Sequence, residues 1–293
     1  MTELDYLILV KVRSLLGDFK ILFEQFKETN NSLIYVSSNS QNKYLLKLFK
    51  KNDFSLENVK KLKKIYLDLG VLFEDSILNF FYDEKLVELY YFIECNPFES
   101  NVNLLETVAN IFNKIYLNSS PSTNHKLINF SINEINNSFF IEYEKKLIQE
   151  LFEEFVKNCG SLKQSFCHND LKPPNFLFRE DGVVSIIDFQ TANYNYVIYD
   201  ISIFLSHLLY YYKLKKISFE KINFFLNIVF KNIPLIEFKM LYNLVILINL
   251  DRIKFFRNKM DGAKNLQERK NYVYQLKMVK EIMFDKKVSS LFN

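Results

Sequence analysis

The sequence predicts an α+β, bilobal protein, with a small antiparallel five-stranded sheet in its first third and a mostly helical remainder. Three observations lead there. Five short runs rich in aromatic and β-branched residues precede residue 94, each bounded by polar or turn-forming residues. From residue 104 onward, apolar residues recur mostly at helical spacing. Between residues 168 and 200, polar side chains sit at the ends of short apolar runs, as residues delivered to one edge by strands would. With 293 residues, 49% hydrophobic and 25% charged, the chain can fill one large or two modest cores.

Leu4, Leu7, Leu9, Val12, Leu15 and Leu16 predict a first helix over 3–16, stopped by Gly17. Runs 19–23, 32–36 and 44–49 predict three antiparallel strands, separated by Thr29-Asn30-Asn31 and by the polar stretch 37–42. Val59, Leu62, Ile65, Tyr66 and Leu69 form the stripe of a helix over 56–69 that ends at Gly70. Runs 76–81 and 86–93 predict a hairpin that completes the sheet. Glu94-Cys95-Asn96-Pro97 breaks the pattern, which sets the expected domains at 1–95 and 96–293, with a cleft beside residues 90–94.

The second domain opens with a helix over 104–117. An Asn- and Ser-rich loop over 118–140 follows, in which His125 is read as solvated. A helix over 141–157 closes at Gly160 and leads through 164–167 into the polar segment. Beyond Asp200, helical stripes cover 201–214, 222–230, 238–256 and 273–283.

Composition narrows the function. A net charge of +4, dispersed along the chain, does not argue for nucleic acid. The three cysteines, Cys95, Cys159 and Cys167, lack metal-binding or disulfide-framework spacing, and a reducing cytoplasm is the expected compartment. The acidic start Thr2-Glu3-Leu4-Asp5 does not read as a secretion signal. The strongest apolar run, 244–248, is far shorter than the roughly 20 residues of a membrane span.

The chemistry lies in His168-Asn169-Asp170-Leu171-Lys172-Pro173-Pro174-Asn175, then Ile186-Ile187-Asp188-Phe189, then Tyr199-Asp200-Ile201-Ser202. Asn175 precedes one apolar run and Asp188 ends the next, with Asp181-Gly182 between them, so a hairpin would bring both to one end. One carboxylate beside an acceptor hydroxyl and two hard oxygen ligands for Mg²⁺ are what phosphoryl transfer requires. Taken singly, the residues have plainer readings: Asp170 a turn residue, His168 with Asp170 a surface pair, Lys172 a solvated loop lysine.

These three spaced elements resemble the catalytic segment of the aminoglycoside phosphotransferase and choline kinase superfamily, which shares the protein-kinase fold. The resemblance implies Asp170 as catalytic base, Asn175 and Asp188 as magnesium ligands, and His168 as a brace of the loop. Asp200 would hold the loop backbone, and Lys172 would touch the transferred phosphate. Lys47 lies between apolar residues on the third predicted strand and needs an anionic partner. The resemblance supplies the phosphates of ATP, with Glu57 on the following helix orienting Lys47; the plainer readings are an edge-strand lysine and a first-turn helix acid.

Residues 1–95 would then be the nucleotide-binding lobe and 96–293 the catalytic and acceptor-binding lobe. The loop over residues 27–32 has no glycine, unlike many relatives, so Thr29, Asn30 and Ser32 are the expected cover-loop donors. Few residues separate Asp188 from Asp200, which favours a small-molecule hydroxyl acceptor over a protein. An amine-bearing metabolite is the expected class. A homoserine-kinase-like enzyme, an atypical protein kinase and a nucleotide-binding pseudokinase are the alternatives.

Overall fold

The computed structural model describes residues 3–18, 20–28, 32–37, 42–49, 55–82, 85–93, 102–121, 130, 139–178 and 184–292. The expected cover-loop residues Thr29 and Asn30, the turn Asp181-Gly182, the break 94–97 and His125 lie outside them.

Helix α1 (Glu3–Leu16) precedes strands β1 (Phe23–Glu28), β2 (Ser32–Ser37) and β3 (Tyr44–Phe49). Helix α2 (Leu56–Asp68) and the hairpin β4 (Leu78–Tyr82) and β5 (Lys85–Tyr91) follow. The five strands form an antiparallel sheet in the order β1-β2-β3-β5-β4, so β3 lies at its centre. Alternation divides its faces: Leu46, Leu48, Val87 and Leu89 pack with Ile8, Leu9 and Val12 of α1 in one core. Lys47 pairs in register with Glu88, and both side chains therefore stand on the other face.

The first strand begins later than the 19–23 predicted. Gly17 takes a left-handed turn at φ +69, and strand pairing starts at Phe23 opposite Ser37. The strand sequence Phe-Glu-Gln-Phe-Lys-Glu is mostly polar, so its place is set by pairing with β2 and not by an apolar run.

Helix α2 starts on Ser55, whose hydroxyl accepts from the Asn58 N–H. Its stripe Val59, Leu62 and Tyr66 is buried in the larger core together with the helical half of the chain. The link after α2 also joins that half: the Glu74 N–H donates to the Ile186 carbonyl and the Ile186 N–H to the Leu72 carbonyl, each at 3.0 Å.

The helical half comprises α3 (Val102–Leu117), a two-residue strand β6 (Ser120–Pro121), α4 (Glu142–Asn158) and β7 (Lys163–Cys167). A small hairpin of β8 (Phe176–Phe178) and β9 (Val184–Ile186) comes next, then β10 (Asn193–Tyr196). Helices α5 (Val197–Lys213), α6 (Phe219–Phe230), α7 (Leu235–Asp261), α8 (Leu266–Phe284) and α9 (Lys286–Ser289) complete it. The 244–248 run is buried in the middle of α7, and among the described residues no helix is long and apolar enough to cross a membrane. Strand β10 was not predicted; its residues pair antiparallel with Gln164–Cys167 of β7.

Candidate active site

The loop leaving β7 turns sharply at Asn169, which adopts φ +61, a left-handed conformation uncommon outside glycine but tolerated by Asn. Its amide holds that turn. Nδ2 donates to the carbonyls of Cys167, Thr191 and Asn193, and Oδ1 accepts from Asn195 Nδ2. Asp200, in the first turn of α5, accepts the backbone N–H of His168 at 2.8 Å and of Asn169 at 2.7 Å. The loop backbone is thus tied to the start of α5, the position expected of Asp200.

His168 is fully buried and lies under the loop, not in the cleft. Its Nε2 lies 2.8 Å from the Ile187 carbonyl, so Nε2 carries the proton and donates it, leaving Nδ1 without a partner. Burial holds the imidazole pKa below its usual range. The ring packs 5.0 Å from that of Phe189, which also meets Tyr66 and Phe73 edge-on at 5.8 Å. This aromatic stack fastens the segment after Asp188 to α2.

Asp170 and Asn175 close on one another. Asn175 Nδ2 donates to the Asp170 carbonyl at 2.7 Å and lies 3.3 Å from its carboxylate. Lys172 Nζ pairs with the same carboxylate at 2.5 Å. Asn175 is tied to β9, because its carbonyl accepts the Ile187 N–H at 3.0 Å. Asp188 stands next along, at φ +73, with Oδ1 held by Lys47 Nζ and by Gln190 Nε2, each at 2.5 Å. Burial works to raise the Asp188 carboxyl, but the charge and hydrogen bond of Lys47, with Gln190, bring it below its ordinary value.

Two oxygens are left open by this network. Both hydrogen-bond acceptors of Asn175 Nδ2 fix the amide's orientation and turn Oδ1 the other way, and among the described residues neither that oxygen nor Asp188 Oδ2 has a hydrogen-bond partner. One amide and one carboxylate oxygen are hard donors of the kind Mg²⁺ takes when it keeps waters and borrows phosphate oxygens. The donor set therefore fits that ion.

Beside it lies a cavity of about 220 Å³ lined by Leu45, Lys47, Tyr90, Leu177, Ile187 and Asp188 among others. Apolar and aromatic side chains from β3, β5 and β8 form its walls, with Lys47, Glu74 and Asp188 as its charged groups, a lining that suits a flat apolar ring beside a charged tail.

Glu57 is not brought to this site. The buried stripe of α2 turns Glu57 outward, where it pairs with Lys61 at 2.6 Å on an exposed face. The carboxylate opposite Lys47 is Glu88 on β5. Burial pushes the Glu88 carboxyl up, while the Tyr90 hydroxyl, donating at 2.5 Å, and the charges of Lys47 and Lys63 draw it down. The strand register was the signal that could have found it, since a lysine and a glutamate at facing positions of adjacent strands share a face.

Burial also pushes the Asp200 carboxyl up to about 7, against its two N–H donors. The folded chain thus holds this proton more tightly than the unfolded chain. The resulting contribution to stability is fully present below about pH 4 and is lost as the pH rises through about 7. The thermal midpoint is expected to fall between pH 6 and pH 8, and to fall less in Asp200→Asn; equal falls in both proteins would refute the assignment.

The model of a phosphotransferase enzyme family matches residues 134–212, which include α4 and nearly all of α5. Among solved structures, the fold resembles a microcompartment-associated aminopropanol kinase (TM-score 0.68, 12% identity, 97% of this chain and 98% of that one). It also resembles an amicoumacin kinase in complex with AMP-PNP and Ca²⁺ (0.67, 15%, 97% and 95%). A third is a choline/ethanolamine kinase family protein from Mesorhizobium loti (0.66, 12%, 99% and 98%). A search of curated proteins by sequence gives no match.

The fold is kinase-like, and residues 134–212 carry the similarity to a phosphotransferase family. A segment of the chain thus resembles that phosphotransferase family, and the fold as a whole is that of the kinases named above.

Proposed function

We propose that this protein transfers the terminal phosphoryl group of ATP, with Mg²⁺, to the hydroxyl of a small amine-bearing metabolite in the cytoplasm. The observation that carries the reading is that Lys47 and Asp188, from distant parts of the chain, meet in the lining of one largely apolar cavity, with the bonded pair Asp170 and Asn175 on the loop before Asp188. The amine-bearing class is supported by the names of the aminopropanol and choline/ethanolamine kinases above. The free thiols of Cys159 and Cys167 accord with a reducing compartment.

In this reading residues 1–95 contribute the nucleotide-binding lobe and 96–293 the catalytic and acceptor-binding lobe. Mg²⁺, when bound, neutralises phosphate charge, and Asn175 Oδ1 with Asp188 Oδ2 would hold it. Lys47 exchanges its contact with Asp188 for the nucleotide phosphates. Asp170 accepts the hydroxyl proton, and Lys172 beside it faces the group in transit. His168 and Asp200 act through the loop, which they hold from below and behind. After Asp188 the chain enters β10 at Asn193 and α5 at Val197, leaving no segment on which a peptide would dock.

Glu88, and not Glu57, is then the carboxylate that orients Lys47. Glu88→Gln is expected to weaken Mg·AMP-PNP binding about tenfold, roughly 1.4 kcal/mol. Glu57→Gln is expected to leave it within about twofold, as an exposed helix pair contributes little. Calorimetric titration of both variants checks this, and the reverse ranking would restore Glu57.

The test of the function itself is ATP turnover with Mg²⁺ against choline, ethanolamine, aminopropanol, homoserine and aminoglycosides, with Asp170→Asn run in parallel. An acceptor that stimulates only the wild type names the activity. Nucleotide binding with no transfer to any hydroxyl would point to a pseudokinase, and phosphorylation of protein alone to a protein kinase.

A further inference from the structure

The turn after Asp188 presents an amide to the carboxylate from which it departs. Gln190 sits in a single 3₁₀ turn, Phe189–Thr191, closed by the Ala192 N–H donating to the Phe189 carbonyl at 3.0 Å. Both neighbours of Gln190 are anchored. The Phe189 ring is buried against His168, Tyr66 and Phe73. Thr191 Oγ1 donates to the His168 carbonyl at 2.7 Å, and the Thr191 carbonyl accepts from Asn169 Nδ2 at 3.1 Å. The backbone of Gln190 is therefore held on both sides, and its side chain folds back along the turn onto Asp188, two residues earlier.

The contact has a fixed direction. Gln190 Nε2 lies 2.5 Å from Asp188 Oδ1, and a carboxylate oxygen only accepts, so the amide nitrogen and not its oxygen faces inward. Lys47 Nζ donates to the same oxygen at 2.5 Å. Asp188 is thus held by one charged and one neutral donor, both on Oδ1, with Oδ2 left open. The two donors act differently on that open oxygen. The Lys47 ammonium offsets the carboxylate charge, whereas the amide fixes its direction and leaves the full negative charge in place. They differ also in attachment: Lys47 comes from β3, 141 positions away in the chain, and Gln190 belongs to the same turn as Asp188.

We propose that Gln190 is the residue that positions the Asp188 carboxylate for the metal once Lys47 has turned to the nucleotide phosphates. This rests on the proposed phosphotransferase reading, in which Lys47 leaves Oδ1. Among the described residues the Gln190 amide is then the side-chain donor that remains on the carboxylate, and it keeps Oδ2 fixed in direction. Gln190 is a positioning residue in this role, acting through Asp188 and not on the nucleotide or the acceptor. Loss of a donor that orients a metal ligand typically lowers metal affinity about 10- to 100-fold.

The test is Gln190→Met, which removes the donor at nearly constant length. AMP-PNP is titrated into the full chain by calorimetry with and without Mg²⁺. The gain in affinity due to Mg²⁺ is expected to shrink about tenfold, with the affinity in its absence within about twofold of wild type. With an acceptor that the wild type phosphorylates, the Mg²⁺ concentration for half-maximal turnover should rise about tenfold as well, while kcat at saturating Mg²⁺ stays within about threefold. That split marks a positioning role, because a distorted site would not be restored by more metal. Gln190→Ala serves if the Met variant fails to fold.

The proposal is overturned if the variant keeps the wild-type gain from Mg²⁺, or if it loses AMP-PNP affinity equally with and without the ion. Absence of any Mg²⁺-dependent gain in the wild type would overturn the phosphotransferase reading itself, and the role of Gln190 falls with it.

Discussion

Replacing Asp170 by Asn is expected to lower turnover by about 10²- to 10⁴-fold while Mg·AMP-PNP affinity stays within a few-fold. The carboxylate sits between Lys172 Nζ and Asn175 Nδ2, so its oxygens are already oriented and the variant removes basicity with little change of shape. An amide at this position can still accept from both neighbours, yet it cannot take up a hydroxyl proton at neutral pH. The loss should therefore fall on kcat, with substrate and nucleotide binding largely preserved. Single-turnover transfer compared with calorimetric nucleotide affinity separates the two. Near-normal turnover in Asp170→Asn would remove Asp170 as the base.

Asp188→Ala is expected to weaken magnesium-dependent nucleotide binding by at least about 100-fold, more than the loss of a group that merely supports a metal ligand. Asp188 Oδ2 is one of the two open oxygens, and its loss falls on the metal; freeing Lys47 from Oδ1 acts the other way, leaving that cation to the phosphates, so the metal-dependent part of binding is the quantity to read. The left-handed backbone adds a cost, since Ala at φ +73 is strained by about 1–2 kcal/mol where Asn is tolerated. Asp188→Asn therefore tests charge without that strain. AMP-PNP titrations with and without Mg²⁺ should show the metal's contribution lost in both variants, whereas retention of it would place the ion elsewhere.

Much of this site was legible in the chain because its parts are local. Asp170 and Asn175 lie on one loop, Asp188 ends the next apolar run, and Asp200 opens the following helix, so spacing alone brought them into one reading. The central strand was equally plain, for β3 is an apolar run interrupted by Lys47. What failed was non-local. Strand β1 is largely polar and is placed by its partner, β10 was read as part of a loop, and Glu57 was assigned to Lys47 although the stripe of its own helix turns it away.

The sequence by itself determined the fold class, most of the order of elements and the place of the polar segment 168–200, since hydrophobic periodicity and turn chemistry act over a few residues and leave their spacing in the chain. Only the tertiary structure decided which charges meet. Lys47 reaches Asp188 from a distant strand, and Glu88 stands opposite it through strand register. Such pairings depend on side-chain direction and on exclusion of water across contacts more than 40 residues apart in the chain, and no local pattern encodes either.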